Sequence, residues 1–220
     1  MNDKRSENLE IFNQIAESLQ KGDHEKVAIL TRKALDDKIA VQQILDDGLI
    51  AGMNVVGEDF KHHRIFLPSV LLAARAMYAG MDLLKPLMIK EDVRTIGKVV
   101  IGTIKGDLHD IGKNLVGIML KGAGFEVIDL GNDVPPEKFV QTAKDDNADA
   151  IGLSALLTTT MTGMKDVIDL MKSEDIYGKV KVIIGGAPVS REFAEQIGAD
   201  FYAFDGMNAV ETLKAYVKDR

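Results

Sequence analysis

The apolar positions of this chain change their spacing part-way along it, and the change divides the sequence in two. From Leu9 to about Ile89 they recur every three or four residues, as in Ile11, Ile15 and Leu19, then Val27, Leu30 and Ala34, then Ile44, Leu45, Leu49, Met53, Val56 and Phe60. That is the period of helices with one buried face. Gly22-Asp23 reads as a helix stop followed by an N-cap, and Pro68 suits the first turn of a last helix running through Leu71, Ala74, Met77, Met81 and Leu84. The spacing predicts four helices packed as a bundle. Lys90-Glu91-Asp92-Val93-Arg94 has no periodicity and is expected to be a short connector and hinge, which sets the domains at 1–90 and 91–220.

Beyond the connector, short apolar runs alternate with helix-length segments. The runs are Val99–Ile104, Phe125–Leu130, Ala150–Leu156, Val180–Ile184 and Phe201–Phe204. Such alternation predicts five βα units, a parallel sheet and a doubly wound α/β fold. Gly102, Gly106, Gly131, Gly152 and Gly185-Gly186 fall in or near the ends of these runs. Open α/β sheets bind ligands there, so a site is expected on the loops that follow the strands.

Composition narrows what that site does. With 220 residues, 46% of them hydrophobic, the chain can bury a sizeable core. A formal charge of −7 and the lack of any Lys/Arg cluster argue against nucleic acid and anionic membrane as partners. The absence of cysteine excludes disulfides, thiolate metal sites and a cysteine nucleophile, so any metal chemistry uses nitrogen or oxygen. Met1 to Glu10 is polar and mixed in charge, unlike a signal peptide, and no apolar run is expected to reach the ~20 residues of a membrane span. The expected location is the cytoplasm. Neither G-x-G-x-x-G nor G-x-x-x-x-G-K-[ST] occurs, so no dinucleotide or P-loop site is indicated.

The distinctive chemistry lies in Gly106-Asp107-Leu108-His109-Asp110-Ile111-Gly112-Lys113-Asn114, just after the first predicted strand. An imidazole on such a loop can offer one ring nitrogen to a metal while a carboxylate two residues back holds the other and fixes the tautomer. Asp107 and His109 have that spacing. A lone loop histidine is ordinarily a surface residue, and Asp110 would then merely cap a helix; the flanking glycines favour the metal.

Asp107, His109 and Gly112, followed by Ser154-Ala155-Leu156 after the third strand and Gly185-Gly186 after the fourth, resemble the cobalamin-binding signature of the B12-dependent methyltransferases and mutases. Gly52-Met53-Asn54-Val55-Val56-Gly57 and Phe66-Leu67-Pro68-Ser69-Val70-Leu71 resemble the cap domain of methyl-carrying corrinoid proteins, so the likeness spans nearly the whole chain. It implies a four-helix cap followed by a flavodoxin-like cobalamin-binding domain. His109 is then the lower axial ligand of cobalt in place of the cofactor's own base. Gly106, Asp107, Leu108, Asp110, Ile111, Gly112, Ser154, Leu156, Thr158, Gly185 and Gly186 complete the cofactor site. The resemblance further implies that Ser154 bonds Asp107, and that the small residues leave a slot for the nucleotide tail, so that leucine at Gly185 or Gly186 would block the tail and spare the fold.

No residue is assigned a catalytic role, because the cofactor, cob(I)alamin or methylcobalamin or a related corrinoid, carries the chemistry. The partners the resemblance implies are a substrate-specific methyltransferase, a second methyltransferase to coenzyme M or tetrahydrofolate, and a reductive activase. Met53, Val56, Phe60, Phe66 and Leu71 are expected in the core, with some also serving as an apolar cover for the corrin. His62-His63-Arg64 is expected to be a solvated patch. Three alternatives are weighed. A carbon-skeleton mutase lacks this helical cap and needs a barrel absent here. A phosphoacceptor receiver expects an aspartate where Ser154 stands. A B12-based sensor is the main rival function.

Overall fold

The spacing of apolar residues finds its cause in a chain that divides into two compact units, Met1–Arg94 with Gly122–Gly124, and Thr95–Lys121 with Phe125–Arg220. The computed structural model describes residues 2–91 and 95–219. Of the expected connector, Asp92, Val93 and Arg94 lie outside the described residues, and the backbone of Lys90 and Glu91 is helical.

Among the described residues the first unit is built from helices joined by short turns. α1 (Asn2–Gln20) stops at Gly22, which takes φ +71°, and Asp23 caps α2 (His24–Asp36) by accepting the Lys26 N–H at 3.0 Å. The third helical run changes its winding, from α3 (Val41–Gln43) through a π-helical stretch, Ile44–Ile50, into α4 (Ala51–Lys61). Gly52 faces α1 so closely that a Cβ there would sit 2.9 Å from Ala16 Cα. α5 (Leu67–Glu91) carries Pro68 in its first turn and packs along α2.

One expectation fails on α5: Leu67–Met88 is long and apolar enough to cross a membrane. The helix packs along α2 and buries Val70, Ala73, Ala76, Met77 and Leu84 on that side. Met53 and Val56 are likewise buried, whereas Phe66 and Leu71 are exposed. His62, His63 and Arg64 are exposed, with Arg64 paired to Asp59 at 2.6 Å.

The second unit is a five-stranded parallel sheet in the order β2-β1-β3-β4-β5. Its strands are β1 (Lys98–Thr103), β2 (Glu126–Asp129), β3 (Ala150–Ser154), β4 (Lys181–Gly185) and β5 (Phe201–Ala203). Between and after them run α6 (Ile111–Gly122), α7 (Pro136–Asp145), α8 (Thr158–Met161), α9 (Gly163–Ser173), α10 (Arg191–Ile197) and α11 (Gly206–Lys218). The fold is the doubly wound α/β class expected. Strands buried on both faces explain the continuous apolar runs: Val100, Ile151, Val182 and Ile184 join Phe139, Met164 and Ile168 in the main core. The register sets Thr103, Ser154, Gly185 and Ala203 side by side along the C-terminal edge. From β1 the chain leaves toward β2, and from β3 toward β4, so the loops after these two neighbouring strands diverge and open a crevice between them.

Candidate cobalamin site

Asp107 lies in that crevice, on the loop between β1 and α6, and has no exposed surface. A carboxylate removed from water needs donors to replace its hydration, and five reach it. Oδ1 accepts the backbone N–H of His109 at 3.0 Å and lies 2.7 Å from His109 Nδ1. Oδ2 accepts the N–H groups of Leu156 at 2.8 Å and Leu157 at 3.3 Å, and the Thr160 hydroxyl at 2.8 Å. Burial alone would raise this carboxyl's pKa. The amides of Leu156 and His109, the Thr160 hydroxyl and the His109 ring outweigh burial and hold it well below the usual carboxylate range.

An ionised carboxylate only accepts, so the proton between it and the ring sits on Nδ1, and the neutral imidazole keeps its lone pair on Nε2. That nitrogen has no hydrogen-bond partner among the described residues, and the side chain is 50% exposed. The arrangement is a ring held from behind with its ligating atom outward. Neighbouring loops fix the backbone beneath it. Buried Thr103 donates its hydroxyl to His109 O at 2.9 Å, Asp133 accepts the Gly106 N–H at 2.7 Å and donates its own N–H to Asp107 O at 3.0 Å, and Asn132 Nδ2 donates to Leu108 O at 3.2 Å.

Two expectations need correction. The hydroxyl on Asp107 belongs to Thr160, and no hydrogen bond joins Ser154 to Asp107 among the described residues. Ser154 closes β3, level with Thr103 and Gly185, and its carbonyl accepts the Ile104 N–H at 3.0 Å. Thr160 lies on the short helix beyond, where the loop has turned back over the carboxylate. Gly186, expected to tolerate leucine, takes φ +126°, and a Cβ there would lie 1.8 Å from the Ala155 carbonyl oxygen. Its lack of a side chain is demanded by the backbone just after β3 before any ligand is considered.

Gly112 is the opposite case. It stands in the first turn of α6, and a Cβ there would meet nothing within 4 Å. Leu108 and Ile111 on the same loop, and Leu156 and Leu157 on the loop bonded to Asp107, are all exposed, an apolar rim about the histidine that folding does not use. Among the described residues no group of three or more His, Cys, Asp or Glu side chains could hold a metal ion. The single outward nitrogen suits a metal that brings its other ligands with it, as the centre of a macrocycle does.

A model of the B12 binding domain matches residues 97–214, and a second, also described as a B12 binding domain, matches residues 11–85. The chain belongs to the B12-binding family. Dimethylamine corrinoid protein 1 of Methanosarcina acetivorans is 51% identical over 173 residues, covering 78% of this chain and 81% of that protein. The dimethylamine corrinoid protein of Methanosarcina barkeri is 45% identical over 206 residues, covering 93% and 96%. Among solved structures, the methanol:cobalamin methyltransferase complex of Methanosarcina barkeri contains a chain with TM-score 0.89 and 31% identity, over 96% of this chain and 81% of that one.

The B12-binding unit fits its cofactor on its own geometry: an outward Nε2, an apolar rim for a flat ring, and an open position at Gly112. Of the residues expected in the site, Asp107, His109, Leu108, Ile111, Gly112 and Leu156 meet at the crevice between β1 and β3. Asp110 accepts the Asn114 N–H at 2.7 Å and so starts α6, and Thr158 opens α8 exposed to solvent. Thr103, Asn132, Asp133, Leu157 and Thr160 were not anticipated. Thr160 is one of four threonines that follow β3, and nothing in their spacing marks it out.

Proposed function

We propose that this chain is a corrinoid methyl carrier, which takes a methyl group from a substrate-specific methyltransferase and passes it to a second methyltransferase with coenzyme M or tetrahydrofolate as acceptor. The observation that carries the reading is His109, with Nδ1 committed to a buried anion and Nε2 open in a B12-binding fold. The bound corrinoid supplies a cobalt able to accept and release a methyl group. The chain's own residues hold and tune it: His109 offers Nε2, Asp107 keeps the tautomer, Thr160 and the amides of Leu156 and His109 keep Asp107 ionised, and Leu108, Ile111, Gly112 and Leu156 seat the ring. The Nδ1–H to Asp107 bond is made on the side of the ring away from Nε2, so it holds the tautomer whatever Nε2 meets. Gly106, Gly185 and Gly186 stay in the proposed site for their place on the same edge.

Residues 1–90 are proposed as the cap and 91–220 as the cofactor domain, which the extents of the two family matches support. Dimethylamine is the first donor to try, on the names of the relatives. A reductive activase and a cytoplasmic location complete the proposal. The test is reconstitution with hydroxocobalamin, expected to give stoichiometric binding and a base-off, histidine-on spectrum that His109→Ala abolishes. The reduced protein is then mixed with a dimethylamine methyltransferase and its substrate. A cobalt spectrum that changes only when both are present supports a carrier; cobalamin- or light-dependent oligomerisation without methylation supports a sensor and overturns the proposal.

A further inference from the structure

Lys113 is a charged side chain that the proposed function leaves unused, and it is only 5% exposed. Its Nζ lies 2.6 Å from each carboxylate oxygen of Asp129 and 2.6 Å from Asn114 Oδ1. A lysine so buried persists only where its charge is met, and this one is met at the last residue of β2. Asp129 also accepts the Gly131 N–H at 2.9 Å, which starts a tight turn with Gly131 at φ +85° and Asp133 at φ +52°. Left-handed backbone at a residue other than glycine holds only when its surroundings fix it. Out of that turn come the Asn132 and Asp133 bonds to Leu108, Asp107 and Gly106, the three residues that precede His109.

We infer that Lys113 is a positioning residue for His109: its ion pair with Asp129 sets the 129–133 turn, and the turn holds the imidazole's loop in register with Asp107. The inference uses the reading of His109 as the cobalt ligand, but the geometry it describes exists without cofactor. Lys113→Met keeps the stem and removes the charge, leaving Asp129 without its buried partner. Lys113→Arg restores the charge and a two-pronged contact.

The experiment reads the His109 ring by nitrogen NMR in the cofactor-free protein, then the histidine-on fraction after loading with hydroxocobalamin. Wild type and Lys113→Arg should show the Nδ1–H tautomer. In Lys113→Met the tautomers should move toward a mixture, and the histidine-on ratio should fall by ~10–100-fold, the usual effect of losing a group that orients a metal ligand. A folded Lys113→Met with the wild-type tautomer overturns the inference. If that variant does not fold, Lys113→Met with Asp129→Asn removes both charges and is read the same way. If neither folds, Asn132→Ala with Asp133→Gly removes both side-chain bonds from the turn and keeps its left-handed backbone, and an unchanged tautomer there overturns the inference. A tautomer shift in Lys113→Met together with no histidine-on spectrum in wild type would refute the cobalt ligand while supporting the positioning role.

Discussion

Asp107→Asn keeps the size of the side chain and removes one acceptor, so its outcome follows from counting donors. With the amide oxygen on the Leu156 side, the two backbone N–H groups at 2.8 and 3.3 Å and the Thr160 hydroxyl stay satisfied. The new NH2 then faces the His109 N–H, which cannot change, and Nδ1, which can. The reverse placement sets the NH2 against two fixed amides. The first is therefore favoured, and it drives His109 to the Nε2–H tautomer, which has no lone pair for cobalt. Losing a hydrogen bond to a charged group costs about 1.5–3 kcal/mol, or ~10–100-fold in the histidine-on ratio, and the unmet His109 N–H costs the fold about 1–3 kcal/mol.

The pH dependence follows from the depressed pKa. The stabilisation that ionised Asp107 provides is fully present above the ordinary carboxylate pKa and is lost as pH falls through its lower folded value, so the gap between wild type and variant should narrow below about pH 4. Cobalt spectra after loading, with urea unfolding at neutral and acid pH, measure both. A variant that keeps the wild-type spectrum and unfolding midpoint would refute the assignment of Asp107.

Gly112→Ala should fold at least as well as wild type, gaining up to ~1 kcal/mol of helix propensity, yet bind cobalamin more weakly; equal affinity would place the ring elsewhere. Thr160→Val should cost about 1.5–3 kcal/mol in denaturant unfolding against less than ~0.5 kcal/mol for Ser154→Ala, and equal losses would return the hydroxyl role to Ser154. Gly186→Ala should yield little folded protein, since its Cβ would overlap the Ala155 carbonyl; a stable variant measured by thermal melting would show that β3 and β4 can separate there.

The fold was legible because each period has one structural meaning here. Three-and-four spacing gave the helices, and strands buried on both faces gave unbroken apolar runs such as Val99–Ile104, misplaced against β1 by a single residue. The π-helical winding at Ile44–Ile50 was not legible, since one added residue per turn barely disturbs an apolar stripe. In the site, Asp107 and His109 were found because their bond is local, two residues apart. The Thr160 contact spans 53 residues, and nothing in the spacing of hydroxyls after β3 separates Thr160 from Ser154. Asn132 and Asp133 act through a turn whose geometry exists only once β2 lies beside β1.

Because Asp107 grips His109 with one oxygen and the backbone of Leu156 and Leu157 with the other, the imidazole and that exposed pair of leucines are parts of one lever. Were a metal held at Nε2, as proposed for His109, a displacement of the ring would be passed through Asp107 to the backbone of the two leucines. A protein that docks on Leu156 and Leu157 would then meet a different surface in each ligation state. By thermodynamic reciprocity, its preference for one of them would shift the metal's hold on the histidine by the same factor. Docking and ligation would then report on each other without any group of the visitor touching cobalt.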